Sequence, residues 1–173
     1  MEKFCKGLPP VFDVNSVVLF LGSFPSVKSR EAQFYYGNVR NRFWELFERA
    51  FDVKLTTVQE KIAFLKSRRI ALWDVVGSCF VDGSKDDSIR GEEINDVPSL
   101  VRQTCVKRIF CNGKKSFALF EKHFGDANLP QATLLPSTSM ANVSFSQEKW
   151  FVAFAEIRSL LDEDCQNDVC VLQ

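Results

Sequence analysis

Five residues, Val17–Leu21 (VVLFL), constrain the fold more than any others. They are apolar without alternation and open on β-branched residues, the pattern of a strand covered on both faces. Such strands belong to parallel sheets flanked by helices. The next clear periodicity comes only at Phe43, Trp44 and Phe47, which fall on one face of a helix reaching about Ala50. Between strand and helix lie Gly22, Pro25 and Gly37, the aromatics Phe34, Tyr35 and Tyr36, and Asn38 and Asn41. A long loop at the carboxyl end of a strand is where open α/β sheets place their ligands.

The rest of the chain repeats the alternation. A helix is expected near Val58–Ser67 and a strand over Ile70–Val76, then the polar stretch CFVDGSKDDSIRGEEIND, which reads as a surface loop. Val97–Cys105 reads as helical, Arg108–Cys111 as a strand, Asn112-Gly113 as a turn and Lys114–His123 as a helix. Ala132–Leu135 is the last strand. A helix from about Phe145 to Leu161 closes the pattern, with Trp150, Phe151, Phe154, Ile157 and Leu161 as its buried stripe. Ser144 and Gln147 have capping-box spacing at its start. Residues 1–14 read as an irregular arm and 162–173 as an acidic, frayed tail. The whole predicts a single domain (1–173), a three-layer α/β/α sandwich around a short, mainly parallel sheet.

Composition narrows function mainly by exclusion. Twenty-two basic residues balance twenty-two acidic ones, so no global field announces nucleic acid. A few local contacts suffice for DNA, however. Basic residues do pair up along the chain. Arg40 and Arg42 flank the loop described above and are candidates for phosphate, whereas Arg68 and Arg69 read as solvated surface. Six cysteines include no Cys-x-x-Cys pair and there is one histidine, His123, so neither a zinc site nor an iron–sulfur cluster is expected. The cysteines read as reduced thiols of an intracellular protein, cytoplasmic or on the nucleoid in a bacterium, and no segment reads as membrane-spanning. A monomer without cofactors is expected. The seventeen phenylalanines belong to an aromatic core or to a stacking surface, which the sequence leaves open.

A second stretch, LPSTSMAN (Leu135–Asn142), sets small hydroxyls just past the last strand. By the topology both stretches follow parallel strands, so Gly22 and Ser137 are expected in one cleft. Together they resemble the uracil-DNA glycosylase superfamily, closest to its hypoxanthine-DNA glycosylase branch and next to mismatch-specific uracil glycosylases. Those families carry a Gly-x-x-Pro turn, an aromatic and His-Pro-x-Asn-x-Phe-Trp. Gly22, Pro25, Tyr36, Asn41, Phe43 and Trp44 fit that spacing, with Asn38 and Val39 in place of His-Pro. The hypoxanthine branch has Leu-Pro-Ser-Thr-Ser-Pro-Ala-Asn, from which this chain differs by Met140 for Pro.

The resemblance implies a monofunctional glycosylase acting on double-stranded DNA that contains a deaminated base. Such an enzyme must first take the base out of the stack. It assigns Asn41 to catalysis as a group that orients water or bonds the base. It assigns Tyr36 to stacking, and Gly22, Ser23, Phe24 and Asn38 to the base. It assigns Ser137 and Thr138 to phosphate, with Ser139 and Asn142 also on DNA, and Met140 to an apolar wedge. Arg40, flanking the first motif, and Lys114, at a strand–Gly–helix turn, are expected on DNA from their own positions. Asp74, in a family-like Leu-Trp-Asp-Val run, and Ser88 are candidates for the pocket rim. Uracil-specific relatives carry His or Asn where Leu135 stands, and mismatch-specific ones a water-holding Asn where Phe24 stands. Hypoxanthine is therefore the expected base. Uracil or xanthine removal by the same fold is the alternative, and a silent damaged-DNA-binding module is a further one.

Overall fold

The computed structural model describes residues 2–82 and 89–170, with side chains through Asp164. The expected strand forms as β2 (Val18–Gly22), between β3 (Ile70–Asp74) and β6 (Arg108–Asn112), and β7 (Ala132–Leu135) adds beyond β6. All three pairings of this four-stranded sheet are parallel. Both its faces are covered, and the side-chain alternation of β2 divides between them. Val18 and Phe20 join the core with α2 (Phe43–Phe51), α3 (Val58–Ser67) and α6 (Glu148–Cys170). Leu19 and Leu21 join the opposite core with α4 (Val97–Arg102) and α5 (Lys114–Phe124). The three-layer sandwich expected from the sequence is the observed one.

The aromatic residues concentrate in the first of these cores. Phe20 packs against Phe43, Phe47, Phe110 and Trp150 with ring centroids 5.2–6.1 Å apart. Trp150, the largest fully buried side chain, donates its indole N–H to the carbonyl of Pro136 at 2.8 Å. That bond ties the core to the start of the second functional stretch.

Several elements differ from the sequence reading. The apolar run Ile70–Val76 is two strands, because the chain leaves the parallel sheet after Asp74 and enters a second one. There β4 (Val76–Val81) pairs antiparallel with β1 (Lys3–Lys6) and with β5 (Arg90–Ile94). The N-terminal arm thus carries a strand, and the polar stretch is half sheet; exposed Arg90–Glu93 hid this from a hydrophobicity-based reading. A short helix, α1 (Val27–Ala32), is capped by the hydroxyl of Ser26 inside the loop after β2. The final helix starts at Glu148, not Phe145, and no capping box forms. Ser144 bonds the Asn142 side chain, and Gln147 accepts from Arg49 at 2.8 Å. It also continues past Asp162 to Cys170, where the sequence suggested fraying. Asp164, 8% exposed, ion-pairs Lys107 at 2.6 Å and Arg69 at 3.1 Å, so Arg69 is tied down as well. No helix among the described residues is long and apolar enough to cross a membrane.

Candidate active site

Parallel strands deliver their carboxyl ends to one edge of the sheet. Gly22, Asp74, Asn112 and Leu135 end the four strands there, and the two special loops leave from the ends of β2 and β7. Between the loops lies a cleft of about 540 Å³. Gly22, Ser23, Phe24, Tyr36, Asn38 and Asn41 line it from the first loop, Ser137, Thr138 and Ser139 from the second, and Lys114 from the start of α5. Gly22 and Ser137 therefore share one cleft. Arg40, Met140 and Asn142 lie outside its lining, and Ser88 falls outside the described residues.

The floor is built around a missing side chain. A Cβ on Gly22 would overlap a carboxylate oxygen of Asp74 and stand 3.2 Å from the Tyr36 hydroxyl. Tyr36 has φ 53°, a left-handed conformation that a bulky residue adopts rarely and at a cost. Its ring stacks on Phe43 at 4.0 Å with 18° between planes. Its hydroxyl is buried and has no hydrogen-bond partner among the described residues. Burial, and next the charge of Asp74, push its pKa well above the ordinary tyrosine value. Tyr35 is raised for the same two reasons, but its hydroxyl donates to the carbonyls of Leu8 (3.1 Å) and Pro9 (2.8 Å). Asp74 itself is 4% exposed.

Asn41 sits at the mouth of α2. Its side-chain oxygen accepts the amide of Phe43, the first residue of the helix, at 3.0 Å from one position before the N-cap Arg42, and leaves Nδ2 without a hydrogen bond among the described residues. Asn38 is exposed and makes the turn before it, accepting the Arg40 amide on its side chain and the Asn41 amide on its carbonyl. Phe24 is buried, 9% exposed, with the Arg30 guanidinium 5.4 Å above its ring.

The second loop is held from both sides. Thr138 was expected at phosphate, yet it is fully buried: its amide donates to Asn112 Oδ1 at 3.0 Å, and its hydroxyl takes Asn112 Nδ2 at 2.9 Å. A polar side chain enclosed this way must be satisfied internally, so it anchors the loop and presents nothing outward. Arg42, also a phosphate candidate, donates its main-chain N–H to the Thr138 carbonyl and its guanidinium to the Ser139 carbonyl (2.9 Å). It lies 4.6 Å over the Phe145 ring as well. Asn142 Nδ2 donates to the Ser137 carbonyl at 3.0 Å, and the hydroxyls of Ser137 and Ser139 accept the amides of Ser139 and Ala141. As acceptors, both hydroxyls keep their protons to donate outward. Met140 is 47% exposed, which excludes a core role, and Arg40 Nη1 lies 3.9 Å from its sulfur.

Lys114 is exposed at the first position of α5. The preceding Gly113 has φ 98°, and its absent Cβ would meet Ser137 Cβ at 3.1 Å, so glycine lets the two loops approach. Sequence reasoning missed Asn112 as a site residue, taking Asn-Gly only as a turn. The available signal was its place as the polar residue that closes the apolar run Ile109–Cys111. No group of His, Cys, Asp and Glu among the described residues is arranged to hold a metal ion.

Comparison with known proteins places this architecture. Residues 9–159 match the family model of the uracil DNA glycosylase superfamily. A hypoxanthine DNA glycosylase of Methanosarcina acetivorans is 38% identical over 83% of this chain and 92% of its own. One from Methanosarcina barkeri is 36% identical over 64% of this chain and 72% of its own. The solution NMR structure of a candidate uracil DNA glycosylase from Methanosarcina acetivorans superposes with a TM-score of 0.76 at 35% identity, covering 90% of this chain and 99% of that one. With the family model matched over residues 9–159 and a relative 38% identical over most of both chains, the chain belongs to the uracil DNA glycosylase superfamily.

Proposed function

We propose that this chain is a monofunctional DNA glycosylase that removes hypoxanthine from double-stranded DNA by hydrolysis and leaves an abasic site. The observation that carries the reading is the shared cleft: two loops 100 residues apart meet over the ends of a parallel sheet, with Asn41 on one and Ser137 on the other. The relatives at 38% and 36% identity are named for that activity.

The residues divide the work as follows. Met140, exposed at the tip of the second loop, enters the gap left by the flipped base. The hydroxyls of Ser137 and Ser139, with Lys114 and Arg40, meet phosphates, while Thr138, Asn142 and Arg42 hold the loop in shape. Gly22, Ser23 and Phe24 offer backbone to the base edge at the end of β2. Asn41 is an amide and no general base. With its oxygen turned to the Phe43 amide, its Nδ2 is the atom left to bond the base or a water as the glycosidic bond breaks toward an oxocarbenium-like sugar. Leu135, 1% exposed in β7, supplies no donor, which favours hypoxanthine over the uracil chemistry of relatives with His or Asn there.

The test is excision from duplexes carrying hypoxanthine, uracil or xanthine, with alkali afterwards to reveal abasic sites. Alkali-dependent cleavage, fastest on hypoxanthine, is expected. Absence of cleavage on all three would reject the reading, and cleavage without alkali would reject its monofunctional part.

A further inference from the structure

We propose that Tyr36 recognises the flipped base through its hydroxyl, which donates a hydrogen bond to the exocyclic carbonyl oxygen that deamination creates. The inference rests on the glycosylase reading above and goes beyond the stacking role that the family resemblance gives this residue.

One face of the Tyr36 ring is already occupied by Phe43 at 4.0 Å, so the residue is not a two-sided platform. Its hydroxyl is buried at the floor of the cleft with no hydrogen-bond partner among the described residues. Buried donors are nearly always satisfied, and an exception inside a binding cleft marks a place for a ligand atom. Asn112 lies close by, with Thr138 engaging its Oδ1 and one N–H of Nδ2; the second N–H can only donate to the Tyr36 oxygen, which leaves the phenol's own O–H to be given to a ligand. Room for an incoming atom is kept by Gly22, whose Cβ would stand 3.2 Å from this oxygen. The backbone is also held where an aromatic residue rarely goes, at φ 53°. Surrounding bonds hold it there: Gly37 N–H donates to Ser29 Oγ at 3.1 Å, and Trp44 Nε1 donates to the Tyr35 carbonyl at 3.0 Å. Strain of this kind persists where it positions a functional group. Burial keeps the hydroxyl protonated, so it remains a donor at any physiological pH. Adenine becomes hypoxanthine by exchanging an amino group for a carbonyl oxygen, and a donor on the floor detects that exchange.

The test compares parent and Tyr36→Phe in single-turnover excision from matched duplexes carrying hypoxanthine or purine, which lacks the carbonyl. Selectivity for hypoxanthine over purine is expected to fall about 10- to 100-fold in the variant, the range for a lost hydrogen bond that leaves a buried acceptor unpaired. The melting temperature of the free variant is expected to equal or exceed the parent's, since the deleted O–H has no acceptor among the described residues. A second arm needs no variant: free hypoxanthine is expected to bind the parent more tightly than free purine, by a comparable factor. An unchanged selectivity ratio, through equal loss on both substrates or loss on neither, would overturn the role of the hydroxyl, as would equal binding of the two free bases. A parent inactive on every deaminated duplex would instead overturn the glycosylase reading itself.

Discussion

Replacing Asn112 by alanine tests how the cleft is held together. Asn112 ends β6 and meets Thr138 twice, taking its amide on Oδ1 at 3.0 Å and giving Nδ2 to its hydroxyl at 2.9 Å. Thr138 is fully buried, so water does not replace these partners in the native state. Leaving a buried polar group unpaired costs about 1–3 kcal/mol. Two such groups, partly relieved by rotation of the hydroxyl, give an expected loss of about 2–5 kcal/mol. At about 2–4 °C per kcal/mol for a chain of this size, the melting temperature falls by about 4–20 °C. Asn112→Asp separates the clamp from the charge. A carboxylate accepts from the Thr138 amide and, once the hydroxyl rotates, from that as well. It also adds a negative charge to the cleft that Asp74 already lines, which disfavours a phosphate backbone there. The expected pattern is therefore large destabilisation in Asn112→Ala, little in Asn112→Asp, and weakened DNA binding in both. Differential scanning calorimetry and fluorescence anisotropy on a damaged duplex read the two effects. A shift within about 2 °C for Asn112→Ala would refute the clamp.

Three other outcomes follow from the geometry. Asn41→Ala is expected to slow single-turnover excision about 10²- to 10³-fold while binding to damaged DNA largely survives. It should also lose about 0.5–1.5 kcal/mol with the hydrogen bond to the Phe43 amide, and a rate within threefold of the parent's would make Asn41 structural only. Met140→Ala, at an exposed position, should leave the melting temperature nearly unchanged and slow excision from a well-paired duplex more than from single-stranded DNA; equal losses would rule out the wedge. Stability should decline in alkali, because the folded-state pKa values of Tyr35 and Tyr36 are raised and that of Cys111 is pushed up to about 12, all chiefly by burial. The unfolded chain then releases these protons first. The contribution is complete below the unfolded values and falls by about 1.4 kcal/mol per pH unit per group above them. Urea midpoints from pH 8 to 11 in the parent and in Cys111→Ala check this, with a shallower slope above pH 9 expected in the variant.

The parallel sheet was legible because burial on both faces leaves continuous apolar runs, as in Val17–Leu21, that few other structures tolerate. The cleft was legible because its position follows from topology once the strands are known. The second sheet was not, since β5 is charged and exposed and is specified by its pairing with β4, which periodicity does not carry. Nor were the roles within the second loop. Ser137, Thr138 and Ser139 are near-equivalent in chemistry, yet Thr138 is enclosed while its neighbours are partly exposed, a distinction set by Asn112 from a distant strand. Tyr36 was assigned by its ring. Its backbone strain and buried hydroxyl exist only in three dimensions.

The central claim is that a flipped base enters the cleft between the two loops. A crystal structure with a duplex carrying 2′-fluoroarabino-hypoxanthine, whose glycosidic bond resists cleavage, tests it directly. The account predicts the base in the cleft at the carboxyl end of β2 with its carbonyl oxygen toward the Tyr36 hydroxyl, Asn41 Nδ2 within hydrogen-bond distance of the base or a bridging water, and Met140 in the vacated stack. A base that remains paired in the duplex, or one bound away from the carboxyl ends of β2 and β7, would contradict it.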